Sequence, residues 1–208
     1  MPYRCSFFID GFNFFHAVDD LVPTDSDFQK LKWTDYVALG REFLPRGCDL
    51  TKVYYFTAYA DWDPGKRKRH NELVRANRRD PLFEVVLGKF KQRDRTCFKC
   101  QRVMTGHEEK QTDVNIAIEL LAGAVNDEYD TAMIVTGDND ITPAVRKVKL
   151  LYPAKRVGIL LPPNRRAKDL TGAADYHIKM FKDKMMNCIL PDPVEVAGKM
   201  FVCPPKWK

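Results

Sequence analysis

The chain has 208 residues, 45% hydrophobic and 30% charged, enough to bury one well-formed core with a small appendage. It has no apolar run near the ~20 residues that span a bilayer and no charged start ahead of a long apolar stretch, so the expectation is a cytoplasmic protein with no membrane partner and reduced cysteines. The net charge of +6 is concentrated: Gly65 to Arg79 carries Lys66, Arg67, Lys68, Arg69, Arg75, Arg78 and Arg79 against Glu72 alone, and itself sums to +6.

In chain order, Arg4 to Ile9 reads as a short buried strand and Phe12 to Val18 as the start of a helix. Val22 to Lys32 is polar and reads as a loop. Trp33 to Leu44 has near-helical apolar spacing, and Leu50 to Tyr59 is a β-rich second strand. Pro64 can open the basic helix, because proline fits a first turn. Leu82 to Phe90 reads as a third strand. Residues 91–110 read as an irregular, charged, cysteine-containing loop insertion, and a second basic stretch runs through Lys89, Lys91, Arg93, Arg95, Lys99 and Arg102, opposed only by Asp94. Thr112 is placed to cap a helix from Asp113 to Val125. Thr131 to Val135, Arg156 to Leu161 and Tyr176 to Met180 read as strands, with helices at Ile141 to Leu151 and Lys168 to Ala174. Residues 191–208 are Pro-rich and read as a tail after a domain of residues 1–190. This alternation predicts an α/β, Rossmann-like three-layer sandwich with a mainly parallel sheet of five or six strands.

Three acidic motifs sit at element ends: Asp10-Gly11-Phe12-Asn13, Thr112-Asp113-Val114-Asn115 and Thr136-Gly137-Asp138-Asn139-Asp140. In a parallel sheet, strand ends converge on one edge, so Asp10, Asp113, Asp138 and Asp140 are expected to meet there. Crowded carboxylates repel one another, and a divalent cation makes such a cluster tolerable. Oxygen donors without a histidine cluster suit Mg²⁺ or Mn²⁺ better than zinc. Taken singly, each motif has a plain alternative: a turn pair, a helix-dipole acid or a polar loop. Lys110 could steady a phosphate oxygen or be an exposed lysine. The basic patches suit a polyanion, RNA in particular; their plain alternative is a solvated helix face and a charged loop.

Phe8 to Asn13, Glu109 to Ala117 and Thr136 to Pro143 together resemble the NYN domains of the PIN-like nuclease superfamily, in the LabA-like branch, over Arg4 to about Lys179. The resemblance implies a metal-dependent endoribonuclease that hydrolyses RNA phosphodiester bonds with a water activated by carboxylate-bound Mg²⁺ or Mn²⁺. Asp10, Asp113, Asp138 and Asp140 match the family's metal-binding acids. Asn13, Thr136 and Asn139 match polar positions around them. RNA would lie along Lys66, Arg67, Lys68, Arg69 and Arg75, with a homodimer as one arrangement. The alternatives are an inactive RNA-binding module of the same fold and a haloacid-dehalogenase-type phosphatase. The phosphatase reading would make Asp138 a nucleophile and Asp140 its acid/base. It is disfavoured because only 66 residues follow Thr142 and no paired aspartates occur among them.

Cys97 and Cys100 with His107 suggest half of a structural zinc site; a redox-sensitive pair and loop packing are equally open. Trp62, in an Asp-Trp-Asp-Pro loop, is the best candidate to stack on a base, whereas Tyr59 and Phe90 fall in strand-like runs and read as core.

Overall fold

A computed structural model describes residues 2–96, 98 and 100–208. The chain runs β1 (Tyr3–Asp10), α1 (Gly11–Asp19), a 3-10 segment (Ser26–Trp33), α2 (Tyr36–Glu42), β2 (Cys48–Thr57), α3 (Pro64–Asn77), β3 (Phe83–Leu87), β4 (Lys89–Thr96), β5 (Val103–Lys110) and α4 (Thr112–Val125). It continues with β6 (Thr131–Val135), α5 (Thr142–Leu151), β7 (Arg156–Leu161), α6 (Lys168–Ala173), β8 (Tyr176–Lys179), α7 (Lys182–Met186), β9 (Val194–Val196) and β10 (Lys199–Phe201).

Six strands form one parallel sheet in the order β3-β2-β1-β6-β7-β8. Period-two alternation splits each central strand between two cores. Phe7 and Ile9 of β1 join Met133 and Val135 of β6 on the face covered by α1, α2 and α3. Phe8, Ala132 and Ile134 join Ile116, Leu120 and Val145 on the face covered by α4, α5 and α6. Helices on both faces leave β1, β6 and β7 buried, which is why they read as unbroken apolar runs. The architecture is the expected Rossmann-like three-layer sandwich. Successive strands are added outward in one direction from β1 to β3 and in the other from β6 to β8, so β1 and β6 flank the switch point where open α/β sheets place ligands. Among the described residues no helix is long and apolar enough to cross a membrane.

Four expectations need correction. Residues 26–33 are a 3-10 segment, started by the Asp25 carboxylate on the Asp27 amide, that buries Phe28, Leu31 and Trp33. The third strand stops at Leu87, where Gly88 turns the chain against the Lys110 carbonyl; an added Cβ would lie 2.8 Å from that oxygen. The insertion at 91–110 is not an irregular loop: β4 and β5 pair antiparallel from Lys89↔Lys110 to Thr96↔Val103. Charged residues on both of its faces hid the strand period. The residues after Pro191 are not a loose tail: β9 and β10 form a hairpin, and Val194, Phe201, Cys203 and Trp207 are buried in the α1–α3 core. Prolines shaped that segment's composition, but its few large apolar groups decide where it packs.

Candidate metal centre and its surroundings

The site is built at the switch point. Asp10 ends β1 and caps α1: its Oδ1 accepts from the Asn13 amide at 3.0 Å and its Oδ2 from the Thr136 hydroxyl at 2.9 Å. Gly11 is required there, since a Cβ would lie 2.6 Å from the Tyr55 ring and 2.8 Å from the Phe56 carbonyl. Across the switch point, Thr136 also accepts from the Asp138 amide at 3.1 Å, and Asn13 Oδ1 accepts from the Gly137 amide at 2.8 Å. Asp138 Oδ1 in turn accepts from the Asp140 amide at 3.0 Å. One buried hydroxyl thus ties the ends of β1 and β6 together.

Asp113 enters from the first turn of α4. Asp113, Asp138 and Asp140 each offer one carboxylate oxygen, and these atoms all lie within 4.8 Å of one another; among the described residues this is the group of acids and imidazoles close enough to hold an ion. Asp10 lines the same cleft of about 620 Å³ but is not a member of that group; its two oxygens accept from the Asn13 amide and the Thr136 hydroxyl. The expected quartet is a triad with a buried fourth acid behind it. Burial pushes the Asp10 carboxyl up to about 6, with Asp113 and Asp138 adding repulsion. Asp113 is raised by burial first and then by Asp138 and Asp140.

Two residues of the cleft were not singled out from the sequence. Glu109, at the end of β5, is pushed up to about 7, mainly by burial, while a hydrogen bond from the Thr112 hydroxyl opposes the shift. That bond also explains why Thr112 is not the expected cap: Gln111 holds the cap position at φ 79° and Thr112 is the first helical residue. Glu109 lies four residues before Asp113 in the quoted motif, and its position was the available signal. Arg165, from the loop after β7, lines the cleft, pairs with Asp20 at 2.8 Å and covers Gly137, where a Cβ would meet its own Cβ at 2.5 Å.

The remaining expected residues divide. Lys110 lines the cleft and pairs with Glu108 at 3.2 Å. Asn139 turns away and caps α6 by accepting from the Leu170 amide at 3.2 Å, a structural role. Lys66, Arg69 and Trp62 line a neighbouring cavity of about 700 Å³, whereas Arg67 pairs with Asp61 at 3.3 Å and Lys68 and Arg75 face solvent. Phe90, expected in the core, belongs to that cavity's wall, packed edge-on against Trp62 at 4.6 Å. His107 stacks on Trp62, with centroids 3.6 Å apart and planes 5° apart. It cannot share a zinc ion with Cys100: Cys100 lies in the exposed turn beyond Val103, and four residues of strand separate Val103 from His107 by roughly 13 Å. Cys97 lies outside the described residues.

Residues 4–182 match the model of the NYN domain. This chain belongs to the NYN domain family. NYN domains are part of the PIN-like nuclease superfamily. The chain is also 26% identical over 247 residues to 6-hydroxy-3-succinoylpyridine 3-monooxygenase HspA of Pseudomonas putida (strain DSM 28022 / S16), covering 99% of this NYN domain's chain and 76% of that protein. Among solved structures it is similar to a protein of unknown function, VPA0982, from Vibrio parahaemolyticus RIMD 2210633, with a TM-score of 0.58 and 19% identity over 91% of this chain and 97% of that one. That likeness concerns the fold alone.

Proposed function

We propose that this NYN domain is a metal-dependent endoribonuclease, of the LabA-like branch, that hydrolyses RNA phosphodiester bonds. The observation that carries the reading is the convergence of Asp113, Asp138 and Asp140 within 4.8 Å at the sheet's switch point. Three hard oxygen donors with no cysteine or imidazole among them fit Mg²⁺ or Mn²⁺. Such an ion would supply positive charge for a scissile phosphate and make water more acidic at this position. The chain's own groups do the rest. Thr136 and Asn13 hold the two strand ends in register, which keeps Asp138 facing Asp113. Glu109 keeps Oε1 on the Thr112 hydroxyl, and its other oxygen, Oε2, can take up or release a proton near neutral pH. Lys110 and Arg165 border the acids with positive charge that can meet phosphate oxygens.

The test is incubation of single-stranded RNA with the protein in Mn²⁺, in EDTA, and as the Asp138→Asn variant. We expect cleavage in the first alone, with the variant down at least about a hundredfold, of the order seen when an electrostatic catalytic contact is removed. Retention of RNA without cleavage in Mn²⁺ would instead mark a binding module.

A second reading, oxygenation of a small nitrogen heteroaromatic, is favoured by two observations: the alignment to the monooxygenase spans 99% of this chain, and a cavity of about 700 Å³ with aromatic walls adjoins the acids. Oxygen consumption on adding a hydroxypyridine and a nicotinamide reductant would select it over hydrolysis.

A further inference from the structure

The aromatic cavity and the acidic cleft share a wall. Phe12 and His16, four residues apart on one face of α1, line both. The β4–β5 hairpin closes both as well: Phe90 and His107 face the cavity, while Glu108, Glu109 and Lys110 face the cleft. A ligand that occupies the cleft therefore reaches the cavity by crossing a single helix.

The cavity's chemistry is specific. Trp62 keeps 41% of its surface uncovered although His107 stacks on it and Phe90 meets its edge. A volume of about 700 Å³ matches a small-ligand pocket rather than a packing defect. The floor offers polar groups: the His70 imidazole lies 3.1 Å from the Thr57 hydroxyl and 3.5 Å from that of Tyr55, and burial pushes its pKa down to about 4, so it is neutral near pH 7. Lys66 and Arg69 line the rim, and neither makes an ion pair within 4 Å among the described residues, whereas Lys32 is held by Asp19 at 2.5 Å. Aromatic surface, neutral hydrogen-bonding groups and two uncommitted cations together describe the recognition of a base with its phosphate.

We propose that this cavity receives one nucleotide of a strand lying across the acidic cleft, its base packed among Trp62, Phe12 and Phe90 and its phosphate met by Lys66 and Arg69. This rests on the nucleic-acid reading of the cleft. It makes the cavity the place where a single-stranded substrate is told from a duplex, since a paired base cannot leave its stack to enter without a penalty.

The experiment measures binding apart from cleavage. A short oligouridylate is titrated in EDTA against the parent protein, Trp62→Ala, Trp62→Phe and the double variant Lys66→Ala/Arg69→Ala, with RNA anisotropy as the readout and thermal melts confirming that each variant is folded. Trp62→Ala is expected to weaken binding about tenfold, the scale of one base stacked on an aromatic ring, and Trp62→Phe to restore most of it. The double variant should bind more weakly and with a shallower salt dependence. Parent-like affinity in both Trp62→Ala and the double variant overturns the proposal, as does a parent protein that fails to bind the oligonucleotide. Mn²⁺-dependent cleavage that survives such a result leaves the hydrolase reading standing without the cavity. Binding that depends on Trp62 with no cleavage in Mn²⁺ leaves the cavity standing without hydrolysis.

Discussion

At the residue scale, the candidate site depends on a few buried polar atoms more than on the acids themselves. The Thr136 hydroxyl donates to Asp10 and accepts from the Asp138 amide, and it has no exposure to solvent. Thr136→Val keeps the shape and removes both bonds, leaving a buried carboxylate and an amide without that partner. The expected cost is about 2 kcal/mol in urea unfolding, within the range for an orphaned buried polar group. Asp10 should then rise further in pKa, because a hydrogen bond that favours its charged form is gone. The acids also repel one another, so the folded chain gains when a cation arrives. Mn²⁺ should raise the melting temperature of the parent protein at pH 7.5, and Asp140→Asn should shrink that rise measurably in a fluorescence melt. An equal rise in the variant would mean that the ion binds elsewhere.

At the element scale, the pairing of β1 with β6 is held at its entrance by Arg4 and Asp130. The Asp130 carboxylate accepts from the Arg4 backbone amide at 2.8 Å and from its guanidinium at 2.8 and 3.1 Å. The Arg4 side-chain bonds hold this acid well down, from 3.8 to about 2. A folded-state pKa below the unfolded one means stability that is present above pH 3.8 and lost as pH falls through about 2. Because the Arg4 side chain is 39% exposed, screening limits the pair's worth to about 1 kcal/mol. Asp130→Asn should therefore lower stability by about that amount at pH 7, and the gap to the parent should close between about pH 4 and pH 2 in denaturant titrations. The carboxy-terminal elements are the second case. Trp207 packs on Phe15 with ring centroids 6.3 Å apart, and Gln29 donates to the Lys206 carbonyl. Trp207→Ala is expected to cost about 3 kcal/mol, as for other large buried aromatics, and a chain ending at Pro191 should melt far below the parent. A tail without structural weight would leave both melts unchanged.

At the scale of the whole molecule, charge and fold divide the labour. The excess positive charge sits on α3 and the hairpin beside an acidic cleft, so RNA association should weaken steeply with salt. Arg69→Glu/Lys66→Glu should flatten a log-log plot of affinity against salt, whereas reversal of the structurally paired Arg79, held by buried Asp35, should instead reduce stability. The amino-acid sequence alone determined the order of the six strands of the parallel sheet, the main helices between them and the edge at which the acids gather. These follow from local periodicity and from the rule that a parallel sheet brings its strand ends to one side. Tertiary structure alone decided that Asp10 stands behind the triad, that Asn139 serves α6, that Glu109 and Arg165 border the cleft, and that Trp62, Phe90 and His107 wall a cavity beside it. The physical reason is that each of these depends on which partner a side chain finds across long stretches of chain. Asp10 is held against Thr136 and lies outside the close group of Asp113, Asp138 and Asp140, and a histidine stacked on Trp62 is beyond the reach of Cys100. Spacing along the sequence carries no record of such competition between partners.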